Sequence, residues 1–332
     1  MVRGLVFCTS LALMALGVFG LDRMVGRRQR RQTPQRQFAQ DWVSRPANPS
    51  GKAGRRAVTL TDERTGAAIY DVVYTLDALG YRMTAVDSTR GRNRFIGFVG
   101  CSVTFGEGVQ DDETLPYHVG QLTTRSQPYN YGRRGGGPAE TLRMFEERDV
   151  TADIRQADGV WVYTFIDDHI ERTVGASKVI AWGPWKPYYE ITPDGEAVYL
   201  GTFEEVWPWR TKAYRLLHRS HIVQALHVSL PRITDRHLER TAQLITALAA
   251  SVRRQFPASA FTVVLYPGAR RAKAMAQLLK AGGVDVLDYS ALFRDARRES
   301  PDAPLKIPDD GHPTSFAYQL LARALVRDLH LE

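Results

Sequence analysis

The chain has 332 residues, 44% of them hydrophobic, and a net charge of +8. That composition allows a sizeable core and excludes a globally disordered polymer, and two cysteines, Cys8 and Cys101, exclude a disulfide framework. Residues 1–56 hold eleven Lys/Arg against Asp22 and Asp41, a balance of +9, so the other 276 residues sum to −1. The basicity belongs to the N-terminal segment, and the remainder lacks the basic face a nucleic-acid-binding core would need.

Gly4 to Leu21 is an uncharged, apolar run of 18 residues, at the lower limit for crossing a bilayer. It reads as a membrane anchor, with a cleaved signal segment as the alternative. The arginines from Arg23 to Arg36 favour a cytoplasmic flank, whereas a short N-terminal apolar segment usually exports the domain behind it. The expectation is a membrane-anchored chain (via residues 4–21) with its globular part on the extracytoplasmic side. Residues 22–56, rich in Gln, Pro, Ser, Gly and Arg, read as a basic flexible linker.

From residue 57 the pattern becomes globular. Residues 57–61 and 69–75 are β-like, and the turn signal Asp77-Ala78-Leu79-Gly80 comes next, so 57–90 predict a small β-hairpin element. Residues 91–332 then predict strands at 94–99, 128–131, 159–165, 261–266 and 284–287. Helices are predicted at 115–126, 138–149, 234–254, 269–281 and 314–328. Such alternation predicts a mostly parallel sheet between two helical layers, a three-layer α/β/α domain. Residues 175–230 break the rhythm and hold four of the six tryptophans, an aromatic-rich insertion with a helix at 211–227.

Two short stretches carry the chemistry. The buried strand 94–99 breaks into Gly100-Cys101-Ser102-Val103-Thr104-Phe105-Gly106, a glycine-flanked turn with a serine at its tip. Near the C-terminus stands Asp309-Asp310-Gly311-His312-Pro313. A serine at the carboxyl end of a central strand, with a late histidine and a carboxylate three residues before it, is what a nucleophile, its base and an orienting acid require. The pattern around Ser102 is Gly-x-Ser-x-Thr, which disfavours the Gly-x-Ser-x-Gly elbow of α/β-hydrolases. His218 and His221 lie at i, i+3 without a carboxylate or cysteine to complete a metal set, so no metal or other cofactor is expected.

These stretches resemble the blocks of the SGNH (GDSL-type) hydrolase superfamily, in family order. Gly100 to Gly106 resembles the first block, Asn130-Tyr131-Gly132-Arg133-Arg134-Gly135 the second, and Asp309-x-x-His312 the fifth. The hairpin before the domain resembles one in membrane-associated members. The resemblance implies an SGNH/flavodoxin-like fold and a catalytic triad of Ser102, His312 and Asp309. It also implies an oxyanion hole built from the N–H groups of Ser102 and Gly135. Two positions depart from the family pattern: Cys101 replaces an Asp, and Asp167 stands where the third block has an oxyanion-donating Asn. An ionised Asp only accepts, so the hole implies a protonated Asp167, donation by His169, or two donors rather than three. Trp182, Trp185 and Tyr188 in the insertion are candidates for stacking on a sugar ring.

The function implied is a serine esterase acting on an acyl ester, with acetylated carbohydrate as the expected substrate class. A carbohydrate O-acyltransferase and a catalytically silent glycan-binding module are the alternatives.

Overall fold

A computed structural model describes residues 17–28, 36–38, 53–62, 64–86 and 91–331. Most of the expected membrane segment, residues 4–16, and most of the basic linker lie outside the described residues. Among those described, residues 17–28 form helix α1, and no helix is long and apolar enough to cross a membrane. The helix continues past Leu21 through the basic Arg23 to Arg28, so the expected boundary between anchor and linker falls inside one element.

Three antiparallel strands come first. β1 (Arg36–Phe38) pairs with β2 (Gly54–Asp62), and β2 pairs with β3 (Ala68–Leu76) as the expected hairpin, with a bulge at Leu60/Thr61. Asp62 holds its turn, accepting from the Arg64 backbone N–H (2.9 Å) and the Thr65 hydroxyl (3.1 Å).

The α/β domain opens with β4 (Arg94–Gly100), the four-residue helix α2 (Ser102–Phe105), α3 (Leu115–Leu122), β5 (Ser126–Gly132) and α4 (Pro138–Glu147). It continues with β6 (Asp158–Phe165), α5 (Asp168–Val174) and α6 (Ser177–Trp182). The insertion then supplies β7 (Pro187–Ile191), β8 (Ala197–Thr202), α7 (Phe203–Val206), α8 (Pro208–Leu217) and α9 (His221–Ala225). The chain closes with α10 (Asp235–Gln255), β9 (Ala260–Leu265), α11 (Ala272–Ala281), β10 (Asp285–Asp288), α12 (Leu292–Glu299) and α13 (Ser315–Asp328).

Five parallel strands form the central sheet in the order β10-β9-β6-β4-β5. This is the three-layer doubly wound α/β architecture, with the order of a flavodoxin-like sheet. The strand order reverses at β4, so the crevice beside the carboxyl ends of β4 and β6 is where such sheets bind ligands. β4 is apolar on both faces because both are covered: Ile96 and Phe98 pack under the layer of α3, α13 and the hairpin, while Phe95 and Val99 face that of α4, α10 and α11. Gly97, in register with Trp161 on β6, has to lack a side chain, since a Cβ there would sit 2.4 Å from the indole. α10 shows helical logic in sequence: Leu238, Ala242, Ile245, Ala249 and Val252 recur at three- and four-residue steps and are all buried.

Three differences from the sequence reading have local causes. The predicted helix 211–227 is two helices, because Ser220 caps α9 by accepting from the Val223 N–H at 3.4 Å and so breaks the run. The hairpin β7–β8 was hidden among aromatic and turn residues of the insertion. α12 escaped because it is short and strongly charged, with Phe293 its one buried residue.

The hairpin is fastened to the loop after β4 by Arg82, which is only 2% exposed. Its Nε donates to Asp111 Oδ1 (3.0 Å), Nη1 to the carbonyls of Phe105 (3.1 Å) and Gly106, and Nη2 to the Val109 carbonyl (2.7 Å). The guanidinium also lies 4.4 Å from the centre of the Tyr74 ring. Arg82→Ala would take the cation from Asp111 and its donors from the buried carbonyls of Gly106 and Val109, so a loss of about 3–5 kcal/mol in urea unfolding is expected. Arg82→Lys should recover less than half of it, because an ammonium cannot reproduce the planar fork.

Candidate active site

β4 delivers Ser102 to the carboxyl edge of the sheet through a backbone only glycine accepts. Gly100 has φ +144°, and a Cβ on it would lie 2.5 Å from Thr104 Oγ1. Ser102 then starts α2, and Gly106 ends it in the left-handed region at φ 85°, donating to the Ser102 carbonyl. As the first residue of a helix, Ser102 carries an N–H with no intrahelical acceptor.

His312 arrives from the other end of the chain. The loop before α13 folds into a tight turn: Ile307 N–H donates to the His312 carbonyl (2.8 Å), and Gly311 N–H returns to the Ile307 carbonyl (2.9 Å). Tyr318 of α13 donates its hydroxyl to the Val103 carbonyl (2.7 Å), locking that helix onto α2. Ser102 Oγ and His312 Nε2 then stand 2.9 Å apart.

The carboxylate on the other imidazole nitrogen is not the expected one. His312 Nδ1 is hydrogen-bonded to Asp310 Oδ2, which also accepts from the His312 backbone N–H (3.2 Å). The Asp310 side chain is 3% exposed. Asp309 sits at the outer corner of the turn, exposed, with φ 57°. Neighbouring residues of one turn point in different directions, and the turn's closure onto Ile307 selects Asp310.

A second carboxylate faces the same imidazole. Glu107 Oε2 lies 3.8 Å from His312 Nε2, while its Oε1 pairs with Arg134 and is 3.5 Å from the Tyr70 hydroxyl of β3. Burial acts to lower the His312 pKa, but the Asp310 hydrogen bond and the charges of Glu107 and Asp310 outweigh it. The net pKa is raised above the usual 6.5, with Arg134 opposing. Sequence inspection missed Glu107, whose one signal was a carboxylate in Gly106-Glu107-Gly108 beside the Ser102 turn, and read Arg134 as a solvent-facing loop arginine, whereas its side chain is largely buried against Glu107.

The second glycine turn sits against the first. Arg133 N–H donates to the Gly100 carbonyl (3.0 Å), and Gly136 N–H closes the turn on the Arg133 carbonyl (2.9 Å). Asn130 bridges the two, donating to the Phe105 carbonyl (3.3 Å) and accepting from Gly132 N–H (3.0 Å). Gly135 has φ 67°, so its place in the turn favours glycine. Its carbonyl accepts from Lys186 Nζ (2.6 Å), and the Gly136 carbonyl from Arg172 Nη1 (2.6 Å). Lys186 is buried and paired with Glu140. Two cations from beyond β6 thus set the peptide planes around Gly135.

Asp167 and His169 lie elsewhere than a simple oxyanion reading implies. The Asp167 carboxylate accepts from the backbone N–H groups of Arg270 (2.8 Å) and Arg271 (3.4 Å), holding the loop that enters α11. His169 is fully buried, its Nδ1 2.8 Å from the Tyr163 hydroxyl, and its Nε2 has no hydrogen-bond partner among the described residues. Burial, then the charges of Arg172 and Lys186, hold its pKa well below 6.5, so the ring is neutral.

Of the aromatic candidates, Trp182 is 45% exposed and lies over Gly135, where a Cβ would meet its ring at 3.0 Å. Trp185 is partly exposed and lines a cavity of about 370 Å³ with Tyr81, Arg133, Arg143 and Tyr199. A narrow crevice lined by Arg134, Gly136 and Trp182 shares Arg133, Glu140 and Trp185 with that cavity. Tyr188 is not available to a ligand: it is 4% exposed, its ring packs 4.1 Å from that of Trp207, and its hydroxyl accepts from Arg240 (2.5 Å). His218 is hydrogen-bonded to Ser177 Oγ at 2.9 Å.

No family model and no curated protein matches the chain. Among solved structures, a mutant acetyl-xylooligosaccharide esterase from Geobacillus Stearmophilus is similar at 16% identity and TM-score 0.41, over 73% of this chain and 96% of that one. Phospholipase A1 from Streptomyces albidoflavus NA297 is similar at 13% and 0.41, over 72% and 99%. A member of the lipolytic protein G-D-S-L family from Veillonella parvula DSM 2008 is similar at 12% and 0.36, over 70% and 97%. Likeness this distant carries no argument about chemistry, which rests on the geometry of the site.

The position of the acid has a direct test. Asp310→Asn should lower hydrolysis of p-nitrophenyl acetate by about 10² to 10⁴-fold, because an amide no longer fixes the tautomer. Asp309→Asn, which tolerates the left-handed backbone, should stay within about threefold of the parent. A loss in Asp309→Asn that exceeds the loss in Asp310→Asn would reverse the assignment.

Proposed function

We propose that the chain is an SGNH-type serine esterase that cleaves an acyl ester through Ser102, His312 and Asp310. The observation that carries this reading is Ser102 Oγ at 2.9 Å from His312 Nε2 while Asp310 holds Nδ1. That arrangement supports a reaction in the following steps. His312 Nε2 takes the Ser102 proton as Oγ attacks the ester carbonyl, and the Asp310 carboxylate stabilises the imidazolium that forms. The backbone N–H groups of Ser102 and Gly135 receive the oxyanion. As the tetrahedral intermediate collapses, His312 protonates the leaving alkoxide and leaves an acyl group on Ser102. Water, deprotonated by the same imidazole, completes the cycle.

Acetylated carbohydrate is the substrate class we favour. The support is the half-exposed Trp182 over Gly135 and the neighbouring cavity, where the partly exposed Trp185 offers a ring and Arg133 and Arg143 line the wall with donors. Aromatic faces with charged hydrogen-bonding groups suit a sugar ring better than an acyl chain. A sugar hydroxyl bound there in place of water would make the same triad an O-acyltransferase. Products formed from an acyl donor with and without a sugar acceptor separate the two. Attachment through residues 4–21, with the domain on the extracytoplasmic side, completes the proposal.

Ser102→Ala should lower p-nitrophenol release from the acetate ester by at least about 10³-fold and abolish labelling by a fluorophosphonate probe. An unlabelled parent protein would favour the silent glycan-binding alternative.

The pH profile offers a second test. The reaction needs neutral His312, whose pKa is raised above 6.5, so kcat/KM should fall as pH drops through that raised value. Glu107→Gln removes a negative charge 3.8 Å from Nε2, so the acid limb should move to lower pH. An unmoved limb would show that Glu107 does not act on the imidazole.

A further inference from the structure

The outer face of the insertion has no task in the ester chemistry. On α8, Trp209, Ala213 and Leu216 are exposed, at 0, +4 and +7, with Lys212 between them. At about 100° per residue they form one outward stripe. Trp209 is 78% exposed and Leu216 66%, and Leu226 just after α9 is 70% exposed. The opposite face of α8 is where the fold spends its packing: Thr211 is buried, and Tyr214 packs with Ile180, Tyr188 and Phe203.

α1 docks on the start of α9, the helix that follows α8. Asp22 Oδ1 accepts from the Ser220 hydroxyl (2.6 Å) and the Ile222 N–H (3.0 Å), joining α1 to the start of α9. Gly26 lies so close to His221 that a Cβ would fall 2.5 Å from the ring. Gln224 Nε2 donates to the His218 carbonyl (2.6 Å), tying α9 to the end of α8. Val18, Phe19, Leu21 and Met24 of α1 are exposed as well.

The charges on these elements are one-sided. Residues 17–28 and 208–226 contain Arg23, Arg27, Arg28, Lys212, Arg215 and Arg219 among their cations, and Asp22 is their one acid. That acid is already engaged with α9. The chain reaches α1 from the uncharged apolar run that begins at Gly4. A face that joins exposed Trp and Leu to unbalanced arginines, where a bilayer-length apolar segment meets the domain, has the composition of an interfacial membrane surface.

We infer that α8 and α9 together with α1 form a membrane-facing surface that lays the domain against an anionic bilayer. Trp209, Leu216 and Leu226 enter the headgroup boundary, and Lys212, Arg215 and Arg219 meet lipid phosphates. The domain is then held in one orientation at the bilayer rather than tethered freely by a linker. This inference is independent of the chemistry at Ser102, whose success or failure is read by a separate assay.

The test uses the full chain reconstituted into phosphatidylglycerol/phosphatidylcholine vesicles doped with brominated phosphatidylcholine, in a Trp42→Phe background. Tryptophan emission should be quenched, and Trp209→Phe should remove the larger part of that quenching at an unchanged melting temperature. Lys212→Glu/Arg215→Glu/Arg219→Glu should weaken it by about tenfold on the anionic vesicles, as expected when phosphate-facing charge is reversed. Vesicles of phosphatidylcholine alone should quench the parent less. Equal quenching in the parent and Trp209→Phe would overturn the inference. So would a self-association in detergent that Leu216→Glu abolishes while lipid quenching is absent, since the stripe would then belong to a second copy.

Discussion

The turn that carries Ser102 is held by a cation that never touches the serine. Arg82, from the segment just after the hairpin, satisfies the carbonyls of Phe105, Gly106 and Val109, the chain that leaves α2. A four-residue helix has little stability of its own and exposes its last carbonyls. Those groups are buried here, where an unpaired carbonyl costs about 1–3 kcal/mol each. One guanidinium with a planar fork of donors meets three of them and an Asp111 carboxylate besides. The Tyr74 hydroxyl of β3 adds a bond from Gly108 N–H at 2.8 Å. The small hairpin is therefore part of the wall of the site, and its tyrosines, carboxylate partners and arginine fix the loop on which Ser102 sits.

Buried charge recurs on the far side of the same crevice. Lys186 with Glu140, Arg134 with Glu107, and Arg172 on the Gly136 carbonyl are all largely withdrawn from water. Such pairs contribute little net stability, because desolvation offsets their attraction. Their value is geometric. They hold the carbonyls of Gly135 and Gly136 and place Glu107 against His312, so the glycine turn and the imidazole are oriented before any ligand arrives. Preorganised dipoles of this kind are where acyl-transfer catalysis finds most of its transition-state stabilisation.

The periodicities of the chain were enough to expose the sheet. Strand β4 reads as a run buried on both faces, α10 as a long helix with one apolar side, and the break at Gly100 as the end of a central strand. The Ser102 turn and His312 were legible for the same reason: special backbone requires glycine, and glycine marks itself. Asp310 was not legible, because Asp309 and Asp310 are chemically identical neighbours and only the closure of the turn on Ile307 chooses between them. Tyr188 was not legible either. An aromatic residue in an insertion has the same composition whether it faces a ligand or Trp207.

The fate of Asp167 shows where the boundary falls. From its position after β6 it reads as a misplaced oxyanion group, a negative charge where a donor is wanted. In the fold its oxygens cap the amides of Arg270 and Arg271, two residues about a hundred positions away. What the sequence by itself determined is the alternation of the five sheet strands with their main helices, the strand-end serine and the late histidine, since these come from local periodicity and backbone sterics. Which carboxylate holds His312, which cations set the glycine turn, and which aromatics remain open to a ligand were decided by tertiary structure alone. Each depends on a contact between residues far apart in the chain, and no local pattern encodes the direction in which a side chain finds its partner.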